Sequence, residues 1–433
     1  MPAHRITALT TLIAAAAIAV LVPAARAADV SAAVKAALER SDFAGAMRLL
    51  RPPAEQGDVL AQVNLAMLMQ NGLGVPRNYA AAAYWFLKAA ERGNAVAQNA
   101  LGLLYGAGLG VPKDYAEAVK WYRLAAEQGA AAHQFDLAVM YNNGLGVERD
   151  LARAAEWYGK AAAQGLADAE ASLGVLHQEG SGVAKDPAKA FELYSRAAKS
   201  GHAKAQNNLG LLYSRGEGVS QNYEAAVEWF RKAAEQGFAT AMTNLGVMYA
   251  NGFGVKLDEA AAKEWFRRGG RQAATATQAV LDQVGLVYDG RLAAPRVDPR
   301  SREVYETAAK HGDPVAQFIV AYLHSNGPQD MRNLRTAARW YRAAAEKGLA
   351  AAMHNLGQLY VHGLGVPQDY VLGYMWINLA AAGGLIEAVT VRDAVTARMT
   401  SAQITEAERL ANGLWQNTAG ASRVPVPDAA PTK

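Results

Sequence analysis

The chain has 433 residues, 52% of them hydrophobic and 19% charged, which excludes an intrinsically disordered chain and exceeds the usual size of one compact core. It contains no cysteine, which excludes disulfide bonds and thiolate chemistry. The formal net charge of +4 falls to +2 without Arg5 and Arg26, so the charge balance gives no general case for nucleic-acid binding.

The first 27 residues have the pattern of a secretory signal peptide. His4 and Arg5 form a short basic start, residues 6–22 are apolar and uncharged, and Ala25-Arg26-Ala27 places small residues where signal peptidase cleaves. We expect cleavage after Ala27 or Ala28, a periplasmic or secreted product, and no transmembrane span once the segment is removed. A retained membrane anchor is the alternative, because the apolar run is nearly long enough to span a bilayer.

A 36-residue repeat dominates the rest of the sequence. The copy from Ala97 to Gly129 reads Ala-x-x-x-Leu-Gly-x-x-Tyr-x-x-Gly-x-Gly-Val-x-x-Asp, and then Ala-x-x-Trp-Tyr-x-x-Ala-Ala-x-x-Gly. In each half, the apolar residues recur at the spacing of one helix face, and the glycines between the halves favour a turn. Each copy therefore predicts two helices. The closing glycine of each copy recurs at Gly93, Gly129, Gly165, Gly201, Gly237, Gly348 and Gly384.

Two further residue types keep their place in the repeat. An Asp or Asn precedes each second helix, where its short side chain is expected to cap free backbone N–H groups. These residues are Asp42, Asn78, Asp114, Asp150, Asp186, Asn222, Asp258 and Asp369. Seven tryptophans also share one position, and we expect them to pack in the core rather than form a stacking platform for bases or sugars. They are Trp85, Trp121, Trp157, Trp229, Trp265, Trp340 and Trp376.

This pattern closely resembles the Sel1-like repeat, a relative of the tetratricopeptide repeat, over residues 58–384. The resemblance implies an all-α, right-handed solenoid of tandem helix-turn-helix units with a concave face. It also implies an adaptor role in protein assemblies, and exported bacterial members are linked to envelope processes. A cysteine-rich branch is associated with penicillin binding and β-lactamase activity, but this chain lacks the cysteines of that branch.

The repeat pattern divides the chain into successive segments. A partial opening unit at 28–57 contains Pro52 and Pro53, where we expect its second helix to end early or kink. Asp298 before Pro299 and Thr400 with Gln403 both predict helix starts. The remaining segments are six repeats at 58–273, a degenerate repeat at 274–312, two repeats at 313–384, capping helices at 385–417 and a tail at 418–433. Whether residues 274–312 form a hinge or a docking site is left open by the sequence.

The positions of the first helices that vary between copies are the candidate partner-binding residues. In tetratricopeptide-like geometry they line the concave groove, where amides can pair with a peptide backbone and aromatic side chains can anchor it. The alternative interpretation is that they are simply solvated. The candidates are Asn99, Phe135, Asn142, Gln178, Asn207, Ser214, Arg215, Thr243 and Asn251.

A second candidate surface is rich in arginine. Residues 267–342 hold 12 Lys and Arg against 7 Asp and Glu, and such a patch suits carboxylates, an anionic polysaccharide or lipid headgroups. A solvated surface around a degenerate repeat is the alternative. The candidate basic residues are Arg267, Arg268, Arg271, Arg296, Arg300, Arg302 and Arg335.

Signals for catalysis are absent from the sequence. It contains no His-Glu-x-x-His, Gly-x-Ser-x-Gly or Ser-x-x-Lys motif and no phosphate loop, and no third ligand accompanies His354 and His362. We therefore expect no enzyme activity, cofactor or metal, and no nucleic-acid partner. The sequence favours a non-catalytic scaffold that binds an envelope protein or peptide. The alternatives are a module for anionic glycans or membrane surfaces and, by family analogy alone, a peptidoglycan- or β-lactam-directed enzyme.

Overall fold

The protein is described here from a computed structural model. The structure describes residues 27–272, 283, 285–289, 292, 295 and 297–418, so the predicted signal segment before Ala27 and the tail beyond Thr418 lie outside it. Its described residues form α-helices, one short 3-10 helix at Gln329–Met331 and no strand, which confirms the predicted all-α fold of tandem helix pairs. The helices are α1 Ala27–Glu39, α2 Phe43–Glu55, α3 Val59–Asn71, α4 Tyr79–Glu91, α5 Ala95–Ala107, α6 Tyr115–Glu127, α7 Ala131–Asn143, α8 Leu151–Ala163, α9 Ala167–Glu179, α10 Pro187–Lys199, α11 Ala203–Arg215, α12 Tyr223–Glu235, α13 Ala239–Asn251, α14 Glu259–Gln272, α15 Pro299–Lys310, α16 Pro314–Asn326, α17 Leu334–Ala345, α18 Ala350–His362, α19 Tyr370–Ala382, α20 Ile386–Thr396 and α21 Ser401–Thr418.

The chain forms two compact units. The terminal unit comprises the described residues within Met1–Arg92, Ala107–Lys113 and Thr277–Lys433, and the middle unit comprises those within Gly93–Gly106 and Asp114–Ala276. Within each unit, a repeat consists of a first helix and a second helix that pack side by side. The first helices of the repeats are α3, α5, α7, α9, α11, α13, α16 and α18, and the second helices are α4, α6, α8, α10, α12, α14, α17 and α19.

The second helices begin at the predicted capping residues. One carboxylate oxygen of Asp114 accepts hydrogen bonds from the backbone N–H groups of Ala116 and Glu117, at 2.8 and 3.0 Å. Asn333 caps α17 in the same way, in the repeat whose glycine turn is missing. The predicted caps that the structure confirms are Asp42, Asn78, Asp114, Asp150, Asp186, Asn222, Asp258, Asp298 and Asp369. Each cap stabilises its helix by about 1 kcal/mol.

The repeated glycines allow close packing and a tight turn. A Cβ atom on Gly102 would lie 2.7 Å from the ring of Tyr122, so only glycine lets these two helices approach so closely. Gly144 and Gly146 have φ angles of 65° and 70°, in the left-handed region that glycine adopts without strain. The first-to-second helix connection is therefore short and the same from repeat to repeat.

Most of the repeated tryptophans lie at the margin of the core, contrary to the expectation from sequence. Only Trp85 and Trp376 of the seven are buried. The half-buried Trp157 instead supports the ammonium group of Lys160, which lies 3.9 Å from the ring centroid. The neighbouring Tyr158 is the buried aromatic residue of that repeat. The position after the tryptophan therefore fills the core.

The second helix of the opening unit does not end early at its prolines. α2 continues through Pro52 and Pro53 to Glu55, so the expectation of an early end was wrong. Ala54 is buried, and its carbonyl oxygen accepts a hydrogen bond from the side chain of Gln62 in the next helix. The last turn of α2 is thus held by its contact with the following repeat.

In the middle unit, exposed glutamines at the ends of second helices bond to buried glutamines and to backbone. The amide of Gln128 donates to the carbonyl oxygen of Gly93 at 2.9 Å and to the side-chain oxygen of Gln98 at 2.8 Å. The same pair of hydrogen bonds recurs 36 residues later between Gln164, Gly129 and Gln134. These bonds connect the end of each second helix to the first helix of its own repeat and to the glycine that closes the preceding repeat.

Candidate partner-binding site

The candidate residues lie near one face of the first helices. We define the first-helix face by three positions of each first helix. These are the two positions before the leucine of the Leu-Gly pair and the second position after that leucine. In α11 these are Asn207, Asn208 and Leu211, and in α18 the two positions before the leucine are His354 and Asn355. All nine candidate groove residues belong to the middle unit.

The structure gives these nine residues very different exposures. Arg215, Thr243 and Asn251 are exposed on α11 and α13, where a partner can reach them. Two others, Phe135 and Asn207, are buried, with 5% and 3% of their surfaces exposed. The remaining four are half-buried: Asn99, Asn142, Gln178 and Ser214.

The two buried candidates contribute to packing within the middle unit. The ring of Phe135 belongs to a core cluster and lies 5.4 Å from the ring of Tyr158. The side-chain oxygen of Asn207 accepts a hydrogen bond of 2.8 Å from the amide of Asn244 in the next first helix. A substitution at either residue would therefore disturb the fold as well as any bound partner.

A polar network crosses from α10 to α11 beside the first-helix face. The hydroxyl of Tyr194 donates to Gln178 at 3.0 Å, and the amide of Gln178 donates to Glu217 at 3.0 Å. Burial raises the pKa of the Tyr194 hydroxyl, so this group stays a hydrogen-bond donor at neutral pH. Asn208 also hydrogen-bonds to Tyr194, which ties the first-helix face to the second helix of the preceding repeat.

In the terminal unit, a segment of the chain itself lies on the first-helix face. Residues 285–289, within the predicted degenerate repeat, contact α16 and α18. The side chain of Asn355 accepts a hydrogen bond from the backbone N–H of Val287 and donates one to the carbonyl oxygen of the same residue, both at 2.8 Å. The Nε2–H group of His354 donates to the carbonyl oxygen of Gly285 at 3.0 Å. Two positions of this face, those of His354 and Asn355, therefore bind polypeptide backbone.

A buried polar cluster joins the first repeat to the C-terminal helices within the terminal unit. The backbone N–H and C=O of Arg77 both bond to the side chain of Asn378, at 2.8 and 3.2 Å. The guanidinium of Arg77 forms an ion pair of 2.8 Å with Asp393 and donates to the hydroxyl of Tyr374 at 2.9 Å. Only 2% of Arg77 is exposed. This cluster could not be predicted from the sequence, because its members lie outside the repeat consensus and about 300 residues apart.

Two more charged groups complete this cluster. Glu408 accepts hydrogen bonds from the backbone N–H of Tyr79 at 2.9 Å and from the hydroxyl of Tyr374 at 3.2 Å. Burial raises the pKa of the Glu408 carboxyl to about 7. Arg392 is also buried and donates to the backbone oxygen of Asn71 at 3.0 Å. Protonation of Glu408 near neutral pH thus changes the charge of a site that holds two parts of the chain together.

The candidate basic residues do not form one described patch. Arg267 and Arg268, in the middle unit, both bond to Glu264, and these hydrogen bonds lower the pKa of that carboxyl to about 2. Arg302, in the terminal unit, forms a long ion pair of 3.8 Å with Asp330. Arg300 and Arg335 are exposed in the terminal unit, Arg296 lies outside the described residues, and only the backbone of Arg271 is described.

Neither a cluster of metal-ligating side chains nor a membrane-spanning helix occurs among the described residues. They contain no group of three or more His, Asp or Glu side chains that could hold a metal ion. None of the helices within the described ranges is both long and apolar enough to span a membrane. Burial lowers the pKa of His354, so the ring that contacts Gly285 is neutral at physiological pH.

The chain is similar to known repeat proteins over most of its length. The family model described as Sel1 repeat matches residues 59–94, 95–129, 133–166, 167–202, 203–238, 239–273, 314–349 and 350–385. A curated relative, "Protein sel-1 homolog 2" of Rattus norvegicus, is 33% identical over 91 residues. That match covers 21% of this chain and 13% of the rat protein.

Two solved structures share both sequence and fold with the chain. A protective antigen present in uropathogenic Escherichia coli strains, which displays an SLR fold, is 32% identical, with a TM-score of 0.51. The match covers 88% of this chain and 89% of the antigen. A Sel1 repeat protein from Oxalobacter formigenes is 34% identical, with a TM-score of 0.51, over 55% of this chain and 94% of that protein. The repeats and these similarities show that the chain belongs to the Sel1 repeat family, a solenoid family whose members are generally protein-interaction scaffolds.

Proposed function

We propose that this protein is a non-catalytic scaffold of the bacterial cell envelope that binds a partner protein or peptide on the first-helix face of its middle unit. Membership of a family of interaction scaffolds supports the binding role. The envelope location rests on the signal-like pattern of residues 1–27 alone.

The observation that carries this proposal is the contrast between fixed packing residues and varied polar ones. The buried alanines, leucines and tyrosines recur from repeat to repeat. Near the first-helix face and its C-terminal end, consecutive first helices instead present Gln178, Arg215, Thr243 and Asn251, all of which are half-buried or exposed. Polar side chains that differ between repeats on a uniform frame suit the recognition of one particular polypeptide.

Site-specific crosslinking in intact cells tests the binding role. A photo-crosslinking amino acid would replace Thr243 or Asn251 in a tagged copy, and Glu228, exposed on the second helix α12, provides the control position. We expect one dominant protein adduct from the two first-helix positions and none from the control. Equal adducts from all three positions, or no adduct at good expression, would contradict the proposal.

The proposed location has its own test. Mass spectrometry of the protein purified from a periplasmic fraction should show an N-terminus at Ala28 or Asp29, since cleavage is expected after Ala27 or Ala28. A protein that retains Met1 and remains in the cytoplasmic fraction would refute the envelope location and leave the binding role standing.

A further inference from the structure

The segment at residues 285–289 shows how the first-helix face recognises a polypeptide. Asn355 pairs with both backbone polar groups of Val287, as a neighbouring β-strand would, and is completely buried beneath it. Pairing to backbone groups places no demand on the side chain of the bound residue. The contact therefore fixes the path of the segment and not its sequence.

Side-chain selectivity in this contact comes from one aromatic residue. The ring of Tyr288 lies 5.6 Å from that of Phe318 and 4.9 Å from that of Tyr322, both on α16. Clusters of rings at these distances stabilise a contact beyond the area that they bury. The segment is thus held by a backbone clamp on one first helix and an aromatic anchor on the preceding first helix.

The clamp depends on a frame that the middle unit repeats. Asn355 hydrogen-bonds to Tyr341 of the preceding second helix, and the hydroxyl of Tyr341 lies 2.8 Å from the hydroxyl of Ser325. In the middle unit, Asn208 occupies the equivalent position, before a Leu-Gly pair, and hydrogen-bonds to Tyr194. The hydroxyl of Tyr194 in turn donates to Gln178, which stands at the position of Ser325. A tyrosine at the same repeat position therefore hydrogen-bonds to each of the two asparagine side chains.

The surroundings of Asn208 differ from those of Asn355. Val175, which is half-buried, stands where Tyr322 stands in the terminal unit, so the middle unit has a smaller side chain at this anchor position, whereas Ala171, at the position of Phe318, is already buried. Asn207 stands where His354 stands but is buried and accepts a hydrogen bond from Asn244. Asn208 is half-buried, whereas Asn355 is fully buried.

We propose that Asn208 is a backbone clamp for a segment of a partner polypeptide, whose next residue is a large aromatic side chain seated on Val175. This inference rests on the proposed scaffold function and names the partner chemistry at that site. The bound residue pairs its N–H and C=O with the Asn208 amide. The pattern copies Val287 and Tyr288 on the terminal unit.

A synthetic peptide provides the direct test. The probe is a fluorescently labelled ten-residue peptide with the sequence of residues 283–292, and its binding to the full chain is followed by anisotropy. We expect wild-type protein to bind it, and Asn208→Ala and Asn208→Asp each to weaken binding at least about tenfold, because each loses the amide donor. A peptide with alanine at the place of Tyr288 should bind at least about tenfold more weakly than the original.

Matched variants separate the possible outcomes. Asn355→Ala is the control, because it alters the clamp of the terminal unit and should leave the affinity of the middle unit unchanged within about twofold. No binding by wild type at 1 mM peptide (a limit of about −4 kcal/mol), or binding that survives Asn208→Ala, would overturn the proposal. If only Asn355→Ala abolishes binding, the peptide binds to the terminal unit, and the proposal is overturned as well.

The crosslinking experiment shows whether the scaffold function fails separately. If Thr243 and Asn251 capture a partner that Asn208→Ala leaves unaffected, the clamp is refuted and the scaffold function stands. If the peptide binds through Asn208 but cells yield no adduct, the scaffold function is refuted in its present form. Circular dichroism should show unchanged helix content in the Asn208 variants, since that side chain is only half-buried.

Discussion

The middle and terminal units hold their repeats together in different ways. In the middle unit, the hydrogen bonds between repeats join immediate neighbours, as those of Gln128 and Gln164 do. The terminal unit adds bonds between residues 301 positions apart, from Arg77 to Asn378, and places charged groups in its interior. A solenoid stabilised by neighbour contacts distributes its stability evenly, whereas a long-range cluster concentrates stability in a few side chains.

This difference predicts where single substitutions should have large effects. A neighbour contact in the middle unit has equivalents in other repeats, so the loss of one leaves the rest intact. The terminal cluster has no equivalent elsewhere among the described residues, and each of its charges is compensated by specific partners. The following predictions test this comparison, starting with the largest expected effect.

The substitution Arg77→Met should destabilise the terminal unit most. It removes the buried cation that pairs with Asp393 and bonds to Tyr374, and breaking one side of a buried pair typically costs about 3–5 kcal/mol. Hydrogen exchange measured by mass spectrometry should show reduced protection in α4, α19 and α20. Arg123→Met in the middle unit is the matched control. Arg123 is exposed, donates to the hydroxyl of Tyr141, and should cost less than about 1 kcal/mol.

Equal losses from Arg77→Met and Arg123→Met would contradict the comparison. They would mean that the buried cluster contributes no more than a surface contact between neighbouring repeats.

The stability of the terminal unit should depend on pH through Glu408. Its folded pKa of about 7 lies above the ordinary value of 4.5, so the folded state binds this proton more tightly than the unfolded chain does. The resulting stability is fully present below pH 4.5 and is lost as the pH rises through 7, with a total on the order of 3 kcal/mol. The titratable groups that face Glu408 are Arg77, Arg392, Tyr79 and Tyr374.

Urea unfolding at pH 5 and pH 8 measures this effect. The wild type should be more stable at pH 5, and Glu408→Gln should remove most of the difference, because the amide keeps the shape and does not titrate. An unchanged pH dependence in Glu408→Gln would assign the effect to another group. Hydrogen exchange in peptides from the middle unit reports how much titratable groups outside the cluster contribute to the pH dependence of stability.

The contact of Asn355 with Val287 should contribute less to the stability of the terminal unit than the buried polar cluster does. Its effect should also be confined to the neighbourhood of Val287. Asn355→Ala removes both side-chain bonds to Val287, and leaving two partly buried backbone groups without these partners should cost about 1–3 kcal/mol. The backbone amide of Val287 should then exchange at least about tenfold faster. Asn208→Ala should leave that amide unchanged, and acceleration of equal size in both variants would contradict a local role.

The sequence predicted the features that repeat and missed those that occur once. Helix pairs, the caps at Asp114 and its equivalents, and the close packing at Gly102 follow from local chemistry that recurs every 36 residues. The Asn355–Val287 contact joins a degenerate segment to a regular one, and no spacing rule links the two. A buried arginine such as Arg77 has the same appearance in a sequence as an exposed one.

The tryptophan positions show why the prediction of buried aromatic residues failed. A strictly repeated aromatic residue is expected to be core, yet Trp157 lies at its margin and supports a lysine. Repetition shows that a side chain meets the same neighbours in each copy, but not that those neighbours exclude water. The buried glutamines were overlooked for the opposite reason, since Gln98 and Gln134 are polar residues whose hydrogen bonds are satisfied in the interior.

The smallest expected effect is that of the helix caps. The loss of a cap should lower the unfolding free energy by the same amount in either unit. Asp114→Ala in the middle unit and Asp369→Ala in the terminal unit each remove a bond to the first turn of a second helix. Each should lower the unfolding free energy by about 1 kcal/mol, because a cap acts only on its own helix. Urea titration of the two variants measures this directly. A much larger loss for Asp369→Ala would mean that the buried cluster, which includes Tyr374 and Asn378 of the same helix, depends on how α19 begins, and that local and long-range stabilisation are coupled there.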